Sequence, residues 1–265
     1  MRRIVNLVIR SAALIPSADS APRQLLAGRR VLVTAAAGTG IGFAAARRCL
    51  EEGARVVVSD RHERRLAEAA AELGAGVVAI PCDVTDGEAV EQLFEAATKE
   101  MGGLDVVVNN AGLGHSSPLV DTTDEDWERV LDVTLYGTFR CVRAALPRMG
   151  EGGAIVNVGS VTAHRAERGQ SAYAAAKAGV HALTRCAAVE AAERGIRVNA
   201  IAPTLAVHAF LEKVADRAHL DAMAALQPQG RPAEPREIAD AIVFLASDLS
   251  GYLTGEVLSA SSQKP

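Results

Sequence analysis

The sequence predicts an α/β protein with a single doubly wound domain, in which helices cover both faces of a seven-stranded parallel sheet. Two observations support this prediction. Short runs of β-branched residues alternate along the chain with longer, alanine-rich helical stretches. The runs are almost continuously apolar, which is typical of parallel strands that are buried on both faces. No internal repeat or linker divides the 265 residues, so we expect one domain.

Seven apolar runs predict the strands, and the β-branched residues that dominate them favour extended backbone. The predicted strands span residues 31–34, 55–59, 77–80, 104–108, 154–158, 196–200 and 256–259. Between them lie helical patterns at residues 41–52, 63–73, 87–101, 124–148, 171–194 and 235–246. The longest of these begins after residues 121–126, which supply capping residues and acids that favour a helix N-terminus.

Two segments interrupt the alternation. Residues 1–28 contain a short apolar run that Arg10 ends, which is too short for the apolar region of a signal peptide. We predict a loosely ordered N-terminal extension there and a folded domain at residues 29–265. Residues 204–232 form an irregular helical insert after the sixth strand. Because ligands bind beyond the carboxyl ends of strands in such folds, this insert is a candidate substrate lid.

Composition excludes several classes of function. The net charge of −4 argues against a general nucleic-acid-binding protein, which needs a basic surface. No run of 18 apolar residues exists, so no membrane partner is expected. The four cysteines form no CxxC pair, and the six histidines show no metal-ligand spacing. We therefore expect reduced thiols, no metal and a cytoplasmic location.

A glycine-rich segment lies between the first strand and the first helix. It reads Thr-Ala-Ala-Ala-Gly-Thr-Gly-Ile-Gly over residues 34–42. Glycines allow a tight turn and a close approach of the backbone to a pyrophosphate, which the helix N-terminus then attracts. The segment predicts a dinucleotide site, with these cofactor-binding residues: Thr34, Gly38, Thr39, Gly40, Ile41 and Gly42.

The cofactor preference is predicted from Asp60 at the end of the second strand. A carboxylate about 20 residues after the glycines can accept the ribose hydroxyls of NAD and repels the 2′-phosphate of NADP. Arg61 follows directly, and Arg64 and Arg65 lie close by, so nearby positive charge could offset that repulsion. NAD is therefore the predicted cofactor, with NADP as the alternative.

The spacing of Tyr173 and Lys177 is the most specific chemical signal. Four residues on a helix place both side chains on one face. An ammonium beside a phenol favours the phenolate, lowers its pKa and makes it a usable acid or base near neutral pH. Ser160 follows the fifth strand, where its hydroxyl can hold a substrate oxygen. These three residues are the predicted catalytic set.

At these motifs the chain resembles the short-chain dehydrogenase/reductase family, over essentially all of residues 28–262. Further motifs are Cys82-Asp83-Val84 and Asn109-Asn110-Ala111-Gly112. The resemblance implies a Rossmann-type fold, usually in a homotetramer or homodimer, and a nicotinamide cofactor. It also implies that Lys177 binds the nicotinamide ribose and that Ile201 shapes the nicotinamide side. Further implied cofactor contacts are Asp83, Val84, Asn110, Ala111, Gly112, Tyr173 and Pro203.

The chain departs from the family pattern at several positions. Ala35 stands where the first glycine of the family's loop is usual, and the loop is one residue longer. Thr134 stands in place of an asparagine that often supports a proton-relay water, so it is a candidate supporting residue. Thr204 replaces the glycine of a Pro-Gly pair, and the C-terminal segment 258–263 differs as well.

These departures resemble a narrow subgroup, the actinobacterial reductases of steroid C/D-ring breakdown. Members act on a ring hydroxyl of a hydroxy-methyl-oxo-hexahydroindene carboxyl-CoA. The resemblance implies reversible hydride transfer at a secondary alcohol of an alicyclic acyl-CoA. Two alternatives stay open: an NADPH-dependent 3-oxoacyl thioester or polyketide reductase, and a non-catalytic dinucleotide sensor. His115, His164 and His208 lie near the expected crevice and are candidate substrate contacts.

Overall fold

The computed structural model describes residues 23–165, 167–206, 224–225 and 227–261. The strands are β1 (Arg30–Thr34), β2 (Arg55–Asp60), β3 (Val78–Pro81), β4 (Val106–Asn109), β5 (Ala154–Val158), β6 (Arg197–Pro203) and β7 (Val257–Ala260). The α-helices are α1 (Ile41–Glu51), α2 (Glu63–Leu73), α3 (Gly87–Met101), α4 (Asp124–Leu131), α5 (Gly137–Ala145), α6 (Ser171–Ala191) and α7 (Pro235–Ala246).

The strands form one parallel sheet of seven strands in the order β3-β2-β1-β4-β5-β6-β7. This confirms the predicted fold class. The chain runs outward from β1 in one direction and from β4 in the other, so the strand order reverses between these two neighbours. A crevice opens at that point outside the carboxyl ends of the strands, where ligands bind in doubly wound folds.

Alternation along each strand supplies both faces of the core, because successive side chains point to opposite sides of a sheet. In β1, Val31 and Val33 pack with α1, α2 and α7 on one face, whereas Leu32 packs with α3, α5 and α6 on the other. The helices contribute many buried alanines, which let them approach the sheet closely. Both faces are therefore covered, as the continuous apolar runs predict.

The predicted helix 124–148 is interrupted. A five-residue π-helical turn, Asp132–Tyr136, separates α4 from α5. Within it, the Thr134 hydroxyl accepts a hydrogen bond of 3.0 Å from the N–H of Leu113, and the Thr138 hydroxyl donates to the Thr134 carbonyl at 2.8 Å. Such turns are frequent at functional sites. One extra residue per turn leaves composition and apolar spacing nearly unchanged, so the sequence pattern did not reveal it.

Residues 23–28 belong to the folded domain, which corrects the predicted end of the N-terminal extension. The Leu26 side chain is fully buried. The Glu52 carboxylate accepts hydrogen bonds of 2.9 Å from the N–H groups of Arg23 and Leu25, and it pairs with Arg48 at 2.6 Å. Composition alone does not show such an anchor, because its partner lies about 27 residues further along. Residues 1–22 lie outside the described residues.

Within the described ranges, no helix combines the length and the apolar character that crossing a bilayer requires.

Candidate active site

A cleft of about 870 Å³ lies at the carboxyl ends of the central strands. Every residue predicted to contact the cofactor directly lines it, and so does Ser160, whereas Ile201, expected to shape the nicotinamide side, is fully buried and does not line it. The set comprises Thr34, Gly38, Thr39, Gly40, Ile41, Gly42, Asp60, Arg61, Asp83, Val84, Asn110, Ala111, Gly112, Tyr173, Lys177 and Pro203. Segments that are far apart in sequence thus converge on one surface.

The glycine loop is held against β4 by Asn110. The Asn110 Nδ2 group donates to the Ala35 carbonyl at 2.9 Å, and its backbone N–H donates to the Thr34 hydroxyl at 3.0 Å. A Cβ atom at Gly42 would lie 2.5 Å from both the Ala35 oxygen and Asn110 Nδ2. Ala35 has a φ of 50°. The position that carries glycine in the resembled family therefore needs a left-handed backbone, which alanine adopts at a cost.

The N-terminus of α1 opens into the cleft and suits a diphosphate. Its capping residue is Gly40, which has no side chain, and its first turn contains no acid. The N–H groups of the first turn are the orphan donors of a helix, and the helix dipole favours an anion there. A dinucleotide fits this end of the cleft, because the cleft is large enough and glycine keeps its wall open.

Asp60 lies at the end of β2 beside the loop. Its carboxylate accepts hydrogen bonds from the N–H groups of Ala37 at 3.3 Å and His62 at 3.0 Å. Burial raises its pKa, and the backbone hydrogen bond from Ala37 together with the charges of Arg65 and Arg61 opposes this. Both arginines line the cleft too. The structure thus places the predicted ribose acceptor and the offsetting cations side by side.

Asp83 and Val84 form the adjoining wall. One Asp83 oxygen accepts from the N–H of Thr85 at 3.0 Å and from its hydroxyl at 2.8 Å. This local turn fixes the chain after β3. A Cβ atom at Gly137 would lie 2.7 Å from the Val84 side chain, so α5 packs directly behind this wall.

Tyr173 and Lys177 share the cleft-facing side of α6, as their spacing predicts. The Lys177 side chain is buried, with 2% of the residue exposed. Its Nζ donates to the Val158 carbonyl at 2.6 Å and lies 5.6 Å from the centre of the Tyr173 ring. A Cβ atom at Gly112 would lie 3.2 Å from that Nζ. Burial lowers the pKa of Lys177 to about 8.

The pKa of Tyr173 differs from the prediction. The sequence argument expected Lys177 to lower it, but burial raises it, with Ser160 opposing and Glu167 adding to the rise. Desolvation disfavours the phenolate, and the ammonium that would stabilise it is hydrogen-bonded to a carbonyl. In this structure the tyrosine is therefore a protonated phenol at neutral pH.

Ser160 follows β5 and begins the short 3₁₀ turn Val161–Ala163. Its Oγ accepts from the N–H of Thr162 and donates to the Thr162 hydroxyl, both at 3.1 Å. Only 8% of the residue is exposed. Ser160 and Tyr173 both line the cleft, so their hydroxyls belong to one site.

The other candidates occupy different places. Thr134 is fully buried behind the cleft and holds the Leu113 backbone. His115 and His164 are not among the residues that line the cleft. The His164 ring instead lies 4.8 Å from that of His181. His208 falls at a position outside the described residues.

His181 was not identified from the sequence, and only His164 was named from the loop after Ser160. His181 is buried one helical turn beyond Lys177, and burial first, then the charges of His164 and Lys177, lower its pKa to about 4. Its position four residues after Lys177 was an available signal. The loop contributes these further lining residues: Thr162, Arg165, Glu167 and Gln170.

Both ends of the insert at 204–232 reach the cleft. Thr204, Leu205 and Ala206 line it from one end, and Gln227 lines it from the other. A backbone hydrogen bond of 2.9 Å joins Ala233 to Leu205. The segment between these ends, residues 207–223, lies outside the described residues, so the lid stays a prediction.

Comparison with known proteins identifies a matching family model, similar sequences and similar solved structures. The family model described as enoyl-(acyl carrier protein) reductase matches residues 35–262. The chain is 57% identical over 254 residues, 93% of its length and 97% of the relative's, to the (5R,7aS)-5-hydroxy-7a-methyl-1-oxo-2,3,5,6,7,7a-hexahydro-1H-indene-carboxyl-CoA reductase of Mycobacterium tuberculosis.

A second relative is the cis-4-hydroxycyclohexanecarboxylate dehydrogenase of Sinomonas cyclohexanicum, which is 42% identical over 86% of this chain and 94% of its own. Among solved structures, a short chain dehydrogenase from Mycobacterium smegmatis superposes with a TM-score of 0.81. It is 51% identical, and the match covers 91% of this chain and 95% of that one.

Proposed function

The chain belongs to the short-chain dehydrogenase/reductase family, and from that premise we propose that it interconverts a ring alcohol and a ketone on an alicyclic acyl-CoA with NAD(H). It is an oxidoreductase acting on CH–OH groups with a nicotinamide cofactor. The observation that supports the proposal most directly is the convergence of Ser160, Tyr173 and Lys177 in the cleft that also holds the glycine loop.

Tyr173 is the proposed general acid and base. Its protonated phenol donates to the carbonyl oxygen in the reductive direction and takes the proton back in the oxidative direction. Ser160 holds the same oxygen by a hydrogen bond, after releasing the Thr162 hydroxyl to which it now donates. The Lys177 ammonium, 5.6 Å from the centre of the Tyr173 ring, can keep its hydrogen bond to Val158 and stabilise through its charge the phenolate that forms when Tyr173 gives up its proton. Its own proton is easily exchanged because its pKa is about 8.

The glycine loop, the N-terminus of α1 and Asn110 would hold the dinucleotide, with Lys177 at its nicotinamide ribose and Asp83 and Val84 at its adenine. The nicotinamide ring supplies or accepts the hydride when it is bound. Binding both reactants in one cleft gives the orientation on which much of the acceleration depends.

NAD(H) is the proposed cofactor because Asp60 carries a carboxylate at the cleft and is held there by two backbone N–H groups. That charge repels a 2′-phosphate, whereas Arg61 and Arg65, which also line the cleft, act in the opposite direction. The ratio of kcat/KM for NADH and NADPH tests this assignment. A preference for NADPH would contradict it and would favour the 3-oxoacyl thioester reductase alternative.

The alicyclic acyl-CoA is proposed because the relative at 57% identity carries the name of a bicyclic carboxyl-CoA reductase. The apolar residues Leu113, Val161 and Leu205 are among those that line the cleft. A panel of bicyclic and straight-chain hydroxyacyl-CoAs, followed at the nicotinamide absorbance, tests the choice. Higher kcat/KM on straight-chain substrates would contradict it.

The central experiment replaces Tyr173 with phenylalanine. We expect kcat to fall ~10²–10⁴-fold while cofactor still binds, because only the proton-transferring group is lost. Tyr252→Phe is the matched control, since Tyr252 is fully exposed. Retention of more than about a tenth of wild-type kcat would contradict the acid–base role. Absence of turnover in the wild type itself would favour the non-catalytic sensor.

We also propose a homotetramer, or a homodimer, located in the cytoplasm, as the family resemblance implies. Sedimentation equilibrium of the purified chain tests the assembly, and a monomer at micromolar concentration would contradict it.

A further inference from the structure

Arg165 lies in the loop between β5 and α6, five residues after Ser160. Its backbone N–H donates to the Val161 carbonyl at 3.0 Å and so closes the turn that begins at Ser160. The residue lines the cleft together with Thr162 and Tyr173, and it is half-buried. The turn therefore carries a guanidinium into the part of the cleft that contains the reacting hydroxyls.

This guanidinium has no ionic partner in the parts of the chain that the structure describes. Glu167 lies two residues away and lines the cleft as well, but no ion pair joins it to Arg165 among the described residues. The Glu167 charge acts on Tyr173 instead, whose pKa it helps to raise. An arginine stays charged at every physiological pH, and its planar fork suits carboxylate or phosphate oxygens.

Arg165 is not one of the cations at the ribose end of the cleft, where the dinucleotide would bind. Arg61 and Arg65 act electrostatically on Asp60 at the end of β2. Arg165 instead follows β5, on the side of Ser160. An anion at Arg165 would therefore belong to the second reactant.

We propose that Arg165 is a specificity-determining residue that binds an anionic group of the substrate while the substrate's ring hydroxyl contacts Ser160 and Tyr173. This inference rests on the proposed function, and it further specifies that the substrate carries a negatively charged group. The anion has two sources, a phosphate of a CoA thioester or the carboxylate of a free alicyclic acid. The names of the two relatives contain one of each, a carboxyl-CoA and a hydroxycyclohexanecarboxylate.

The test compares Arg165→Gln with the wild type on three compounds that share one hydroxylated bicyclic ring. They are the CoA thioester, the free carboxylic acid and the uncharged N-acetylcysteamine thioester. Arg168→Gln is the matched control, because Arg168 is exposed in the same loop and does not line the cleft. Arg165→Lys tests whether a point charge restores part of the effect.

We expect Arg165→Gln to raise KM at least about tenfold for the anionic compound that the site accepts, which is typical of a lost charge-assisted hydrogen bond. The KM for the uncharged thioester and kcat should stay within about twofold, since the reacting groups are untouched. A selective loss with the CoA thioester assigns the anion to a CoA phosphate, and a selective loss with the free acid assigns it to a carboxylate.

Equal effects of Arg165→Gln on all three compounds, or no effect on any, would overturn the proposal. Calorimetric titration of the three compounds into each cofactor-loaded variant gives the same comparison without turnover. Failure of the proposed function can be distinguished from failure of the Arg165 proposal. If only the proposed function fails, the wild type binds the anionic compounds through Arg165 but transfers no hydride to or from them.

Discussion

Replacing Lys177 with methionine should stabilise the protein and abolish its activity. The Lys177 side chain is buried, and its pKa is about 8 instead of the ordinary 10.5. A shift of this size corresponds to about 3 kcal/mol of unfavourable charge burial at neutral pH. Methionine fills a similar volume without charge, but the Val158 carbonyl then loses its donor, which costs about 1–2 kcal/mol. The expected net gain is about 1–2 kcal/mol at pH 7.

The stability gain of Lys177→Met should depend on pH, because Lys177 titrates at different pH values in the folded and unfolded states. Because the pKa is lower in the folded state, the unfolded chain binds more protons between about pH 8 and 10.5. Wild-type stability therefore rises with pH in that window relative to the variant. The cost of the buried charge is fully present below pH 8 and is lost above the unfolded pKa. By pH 9.5 the variant's advantage should have shrunk by about 2 kcal/mol.

Urea denaturation at pH 7 and pH 9.5, at one fixed protomer concentration, measures both quantities. Lys99→Met is the matched control, since Lys99 is exposed on α3, and it should change stability little at either pH. The kcat of Lys177→Met should fall at least ~10²-fold. A variant less stable than the wild type at pH 7, or a stability difference that does not change with pH, would refute the reasoning.

Three further predictions concern backbone fit and the N-terminal anchor. Ala35→Gly should raise stability by about 0.5–1 kcal/mol in urea denaturation, because glycine relieves the left-handed strain at a smaller entropic cost; a loss of stability would contradict this. Gly42→Ala should weaken dinucleotide binding at least about tenfold by fluorescence titration, because its Cβ would displace the Asn110 amide and overpack the loop. Glu52→Gln should lower the free energy of unfolding by about 2–4 kcal/mol, since it breaks the buried ion pair with Arg48. The same variant should be cleaved faster by trypsin at Arg23, and an unchanged cleavage rate would contradict the anchoring role of Glu52.

The predicted fold, the glycine loop and the shared face of Tyr173 and Lys177 follow from local patterns. A continuous apolar strand, a strand-to-helix turn and an i, i+4 spacing each involve neighbours in sequence, so residue order is enough to predict them. The position of Ala35 is a related case. The sequence shows that alanine replaces the usual glycine at this position. Only the structure shows the consequence, which is that alanine adopts a left-handed backbone with a φ of 50°.

Features that depend on burial and on distant neighbours needed the tertiary structure. The sequence contains Glu52, Leu26 and Arg165 as ordinary residues, and only the packed chain makes them an anchor, a core side chain and a cleft cation. The pKa of Tyr173 was predicted in the wrong direction for the same reason. Its spacing to Lys177 is local, but the desolvation that outweighs the ammonium arises from every element around the cleft.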